Sequence, residues 1–279
     1  MPTFETPAPI DVWIEAGGGS VRLLATDRAD TVVAVRPCDE SRSSDVWAAE
    51  HTRVDFRDRK LSVTGARRGM PLLRGGDTEI EIALPTGSRL HVSVASASMR
   101  AEGEFADLRF AGSSSEVEVD TVTGKIKATS ASGSFTIHVV AGSASIVTSS
   151  GNVTIGDIDG NLRFKAASGS LSVDRLRGSV KSRTASGSVD VAAAVRGAVS
   201  AHTSSGDVAV GVAQGTAARL DITTGSGDVT SKLEPTDGPE KGEETVVLQI
   251  RSGSGDIRIH RGPAAEPATE PAPETVEAT

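Results

Sequence analysis

Three aspartates, Asp207, Asp228 and Asp256, each follow a Ser-Gly pair, a turn chemistry that binds calcium in nonapeptide β-rolls. Here each aspartate directly precedes an apolar residue, Val208, Val229 or Ile257. The calcium motif places a residue between them and repeats its aspartate turn after turn. The three therefore read as polar turn residues, and neither metal nor cofactor is expected. His51, His91, His138, His202 and His260 show no i, i+4 pair of the kind that holds zinc on a helix, and none lies beside a nucleophile. Serines abound, but no G-x-S-x-G elbow joins a strand to a helix. Glu116 and Glu118 share one strand and point to solvent from a Ser/Thr-lined face, a poor match for the paired carboxylates of glycosidases. No catalytic residue is assigned and no enzymatic activity is expected. The lone Cys38 excludes an intrachain disulfide and reads as a small, part-buried hydrophobe.

The elements that would position these groups are legible from a repeat. Gly124, Gly133, Gly142, Gly151, Gly160, Gly169, Gly178 and Gly187 follow one another every nine residues. The frame extends back to Thr78 and forward to Gly255 with small insertions. Two and four residues after each start the chain is apolar, as at Val153 and Ile155, with Ser182 and Ser231 the exceptions at the second position. One and three residues after it the chain is almost always polar, as at Asn152 and Thr154. Alternation with period two marks a strand with one buried face, and the glycine supplies the turn. Units with serine before the start (Ser132, Ser150, Ser168, Ser186) alternate with units lacking it (Thr123, Ala141, Asp159, Arg177), so the true period is eighteen. The expected fold is all-β: a parallel β-solenoid with two strands per coil and two facing sheets. A three-sided coil of twenty-seven residues is the alternative, but it would mix the two classes on every side.

That frame sorts the outward charges. The serine-class sheet presents Glu79, Glu81, Glu116, Glu118, Asp190, Asp207, Asp228 and Asp256 against Arg100 and Arg258. The opposite sheet presents Arg89, Arg109, Lys125, Lys127, Arg163, Lys181 and Arg219 against Asp107 and Asp221, with Lys165 and Arg183 extending its patch. Lys125, Lys127, Arg163, Lys165, Lys181 and Arg183 are the candidate partner-binding residues, facing an anionic polymer or a protein. A net charge of −8 argues against a general nucleic-acid binder.

Residues 1–77 read as an irregular cap or degenerate coils, 78–261 as the repeat domain, and 262–279 as a disordered Pro/Ala/Glu tail. Strands are expected over 10–15, 20–25, 31–36, 52–56 and 60–64, with a helical turn or two over 44–50 packing Trp47 on the stack. Ala66–Gly76 and Lys232–Glu244 are expected loops. The first residues lack the basic and apolar regions of a secretory signal, and no apolar run approaches membrane length, so a cytoplasmic location is expected. An irregular N-terminus and an acidic tail favour a monomer over end-to-end assembly.

The phrases SASGSF, TSSGNV, AASGSL, TASGSV, TSSGDV, TGSGDV and SGSGDI, spread from residue 130 to residue 257, are the sequence's most specific signature. In them the chain resembles the bacterial β-strand-repeat family named "putative adhesin" (domain of unknown function 4097), over about residues 78–261. The resemblance implies a β-solenoid and a bacterial source, and it carries no catalytic residues. The expected function is a non-catalytic solenoid that binds or scaffolds a macromolecule through its sheet faces. A self-assembling, cytoskeleton-like solenoid is the second reading, and a polysaccharide-active enzyme the third.

Overall fold

In the computed structural model, which describes residues 1–65, 76–235, 238–239 and 242–263, alternation becomes parallel pairing. The N-terminal part forms β1 (Thr3–Glu5), β2 (Asp11–Thr26), β3 (Asp30–Pro37), α1 (Ser43–Glu50), β4 (Arg53–Arg57) and β5 (Lys60–Thr64). There follow β6 (Asp77–Pro85), β7 (Ser88–Ser114), β8 (Val117–Val122), β9 (Lys125–Ser132), β10 (Phe135–Val140), β11 (Ser143–Ser150) and β12 (Val153–Ser168). The chain continues through β13 (Leu171–Ser186), β14 (Val189–Ser205), β15 (Val208–Val212), β16 (Thr216–Ser226), β17 (Val229–Ser231), β18 (Glu244–Ser254) and β19 (Ile257–Arg261). The protein is mostly β, with parallel strands and one short helix.

Two ladders run along the stack. In the first, Val117, Phe135, Val153, Leu171, Val189 and Val208 are successive partners, and in the second, Ile126, Ala144, Leu162, Val180 and Val199. All of these side chains are buried. The ladders share one core: Phe110 of the second meets Phe135 of the first edge-on, with ring centroids 5.5 Å apart. Glycine is required for two reasons. Gly206 sits at φ 144°, where a side chain is strained. Gly169 has no positive φ; a Cβ there would overlap the carbonyl oxygen of Gly151, one coil away. Close approach of coils therefore fixes some of the glycines that positive φ does not.

A column of buried hydroxyls closes one corner. Ser130, Thr148, Thr184, Thr203 and Ser252 occupy equivalent positions, with Ala166 between Thr148 and Thr184. Ser130 Oγ donates to the Ser132 carbonyl at 2.7 Å, and Thr203 Oγ1 to that of Gly187 at 3.3 Å. The Ser132 carbonyl also accepts the Ser115 N–H at 3.2 Å, so the hydroxyl there reinforces a turn bond already made.

Stack order departs from chain order at both ends, correcting the expectation that each coil rests on the next. β2 pairs with β5 and β6 on one side and with β7 on the other, so the coil of β5 and β6 lies outside it. At the opposite end β18 and β19 insert between β14–β15 and β16–β17. The expected strands over 10–15 and 20–25 are one continuous β2, and β1 was not anticipated.

The N-terminal end is closed by antiparallel strands: β3 on β6, β1 on β3 and β4 on β5. Helix α1 buries Asp45 and Ala48, and Asp45 Oδ1 accepts the Asp77 N–H at 3.2 Å. Trp47 is half-buried and stacks on His51 at 4.3 Å. Cys38 is exposed rather than part-buried, because it follows the end of β3. Among the described residues β16 and β17 pair on one side only. There Leu220 and Val229, expected to be buried, are 39% and 48% exposed, because no further coil covers them. Most of loop 66–76, part of loop 232–244 and the tail from 264 lie outside the described residues.

Candidate functional site

On the second ladder, alternation turns every other side chain to solvent, and parallel register lines up equivalent positions along the stack about 4.8 Å apart. One outward column reads Trp13, His91, then Arg109, Lys127, Ser145, Arg163, Lys181 and Ser200. The adjacent column carries Lys165, Arg183, His202 and Arg251 as successive partners. Lys127 and Arg163 are two coils apart, with Ser145 between them. Lys125 heads a third column continued by Ser143, Asn161 and Ser179, so it flanks the cations rather than joining their line. Lys125, Lys127, Arg163 and Lys181 line a common groove with those small polar residues.

Lys125, Lys127, Arg163, Lys165, Lys181 and Arg183 are all exposed, and among the described residues none makes an ion pair. Cations crowded without counterions make a positive potential that adds over short distances. Toward the ladder's two ends the charge is neutralised. Arg89 lies 3.5 Å from Asp11 and 3.4 Å from Asp107, and Arg251 lies 3.5 Å from Asp221.

The N-terminal continuation of this face holds groups the sequence reading left out. Trp13, 40% exposed, stacks on His91 at 4.2 Å with an interplanar angle of 8°, and the Lys60 ammonium sits 4.1 Å from the ring centroid. Partial burial, and then the Arg109 charge beside it, hold the His91 imidazole below its usual value; Lys60 acts in the same direction, while Asp11 and Asp107 oppose. The signal was available: Trp13 lies outward between Val12 and Ile14, in phase with His91 between Leu90 and Val92.

The first ladder uses its outward polar residues differently. The Ser170 N–H donates to Asn152 Oδ1 at 3.0 Å, and the Ser188 N–H to Ser170 Oγ at 3.2 Å. Further along, the Asp256 N–H donates to Asp207 Oδ1 at 2.9 Å and the Asp228 N–H to Asp256 Oδ1 at 3.1 Å. The residue after the glycine thus caps the N–H of its equivalent one coil on. Arg258 joins Asp256 at 2.8 Å and Asp207 at 3.6 Å, and Arg100 joins Glu102 at 3.0 Å and Glu118 at 3.5 Å. Among the described residues no cluster of three His, Cys, Asp or Glu side chains could hold a metal, and no helix is long and apolar enough to cross a membrane.

No curated protein matches the chain. Among solved structures it is similar to a "putative adhesin" from Bacteroides fragilis NCTC 9343, at 11% identity and TM-score 0.48, over 92% of this chain and 95% of that one. It is also similar to a "Putative lipid binding protein" from Parabacteroides distasonis ATCC 8503, at 13% identity and TM-score 0.41, over 93% of this chain and 95% of that one. A "putative adhesin" from the same strain shares 13% identity at TM-score 0.34, over 92% of this chain and 95% of that one. From residue 14 to residue 262, nearly the whole coil stack, the sequence matches the family described as Toastrack DUF4097, and the chain belongs to that family.

Proposed function

We propose that this Toastrack chain is a non-catalytic β-solenoid module that holds an extended anionic polymer along its basic sheet. The observation that carries the reading is the unpaired cation column: Arg109, Lys127, Arg163 and Lys181 in one line, with Lys165 and Arg183 beside it. A line of charges parallel to the stack axis suits a linear ligand whose own charges repeat along its length. The net charge of −8 does not oppose this, because the acids concentrate on the other sheet, where they bond backbone amides and arginines. Those acids are committed to the fold, which supports a binding role over acid–base catalysis.

The test is a titration with two anionic probes, polygalacturonate and polyglutamate, at rising salt. Affinity should fall about tenfold or more between 0.05 and 0.2 M salt, as expected when several exposed charges are neutralised together. Reversing Lys127, Arg163, Lys165 and Lys181 to Glu should abolish binding and leave the circular-dichroism spectrum unchanged. Undiminished binding by that variant would overturn the reading.

A further inference from the structure

We propose that the open end of the stack is a homodimer interface, in which β16 pairs antiparallel with β16 of a second copy across a two-fold axis. The two ends of the molecule are not equivalent. The N-terminal end finishes in β1, three residues long, and in β4, whose outward residues are Arg53, Asp55 and Arg57. Short strands and charged edges are the usual protection against further pairing. The opposite end finishes in the eleven-residue β16 and in β17, each with one edge unpaired among the described residues, over an apolar layer that includes Leu220 and Val229. Leu233, in the loop after β17, is partly buried against the core.

A protected end cannot accept an open one, so head-to-tail stacking into filaments has no closing surface. Open end to open end does, and a two-fold interface must be self-complementary. β16 satisfies that requirement when Leu220 lies on the axis. Arg219 of each copy then faces Asp221 of the other on the outer side, and Ala218 faces Ile222 on the inner side. Opposite charges directly across an antiparallel pair are favourable; Arg219 makes no ion pair among the described residues, and Asp221, 3.5 Å from Arg251, takes it as a second cation. The chain's own residues 264–279 suit this edge poorly: Pro267, Pro271 and Pro273 break any run of donors, and the segment lacks apolar alternation. With the axis normal to the sheets, each sheet continues into its counterpart, so two basic faces join end to end.

Sedimentation of the full chain from low to high micromolar concentration should show the 28.6 kDa mass doubling, with nothing larger. Arg219→Asp should weaken the dimer about tenfold or more and Leu220→Glu should abolish it, both with the monomer's circular dichroism unchanged. In a Cys38→Ser background, Leu220→Cys should cross-link to itself on oxidation, because paired antiparallel Cα atoms lie about 4.5–5.5 Å apart, within disulfide reach. A monomer throughout the range overturns the proposal. So does a dimer that forms only after removal of residues 264–279, which would make the tail the occupant, and so do species longer than dimers.

Discussion

The two outward faces of this stack are built by the same alternation, yet the fold uses one and leaves the other free. On the first ladder, Asn152, Ser170, Asp207 and Asp256 each accept a backbone N–H from the next coil, and Arg100 and Arg258 are held by carboxylates. On the second, the central cations bond nothing among the described residues. A face whose polar groups are satisfied internally has little to offer a partner. A face whose charges are unpaired holds them ready, at the cost of some self-repulsion. The lesson is that surface charge signals binding only where the fold does not already consume it.

The sharpest way to break this comparison is to test its frame. Val189 is buried on the first ladder and its neighbour Ser188 faces solvent. Val189→Asp should cost at least about 4 kcal/mol, because it buries an unpaired charge, whereas Ser188→Asp should stay within about 0.5 kcal/mol. Equal losses in a denaturant titration would refute the alternation. Next in size is Asp256→Ala, which leaves the Asp228 N–H without its acceptor and Arg258 without its nearest carboxylate. A loss of about 1–2 kcal/mol is expected, most of it from the hydrogen bond, since the exposed ion pair adds little.

The matching change on the basic face, Lys181→Ala, should move stability by no more than about 0.5 kcal/mol while weakening polymer binding. A stability loss as large as that of Asp256→Ala would show that both faces serve the fold. The smallest effect concerns acid. His91 is held below its ordinary value in the folded chain, so as pH falls through about 6.5 the unfolded chain takes up protons first and stability declines. His91→Phe keeps a ring against Trp13 and should flatten that acid-side slope. An unchanged slope would mean that His91 is not responsible for it.

Much of the site was legible because the outward positions of a regular strand follow from counting. Lys127, Arg163 and Lys181 share a column because each lies three residues after its unit start, and Lys165 and Arg183 because each lies five after. Trp13 was missed because the frame was counted only from Thr78, although β2 obeys the same alternation and stands beside β7. Cys38 was misplaced because it follows the end of a strand, where period two says nothing about burial. The buried hydroxyl corner was missed as well. Ser130 and Thr203 look like turn residues until a neighbouring carbonyl shows what they bond.

By itself the sequence determined the strand period, the inward and outward faces and the segregation of charge. These depend on the two-residue repeat of an extended chain and the turn chemistry of glycine, both local. Only the tertiary structure decided which coil lies against which. β18 and β19 slip inside β16 and β17, and β5 and β6 lie outside β2, because near-identical strands offer near-identical hydrogen-bonding edges and local pattern cannot rank them. The same ambiguity explains Leu220 and Val229. Their inward phase is written in the chain, but their exposure follows from the layer at which the stack stops.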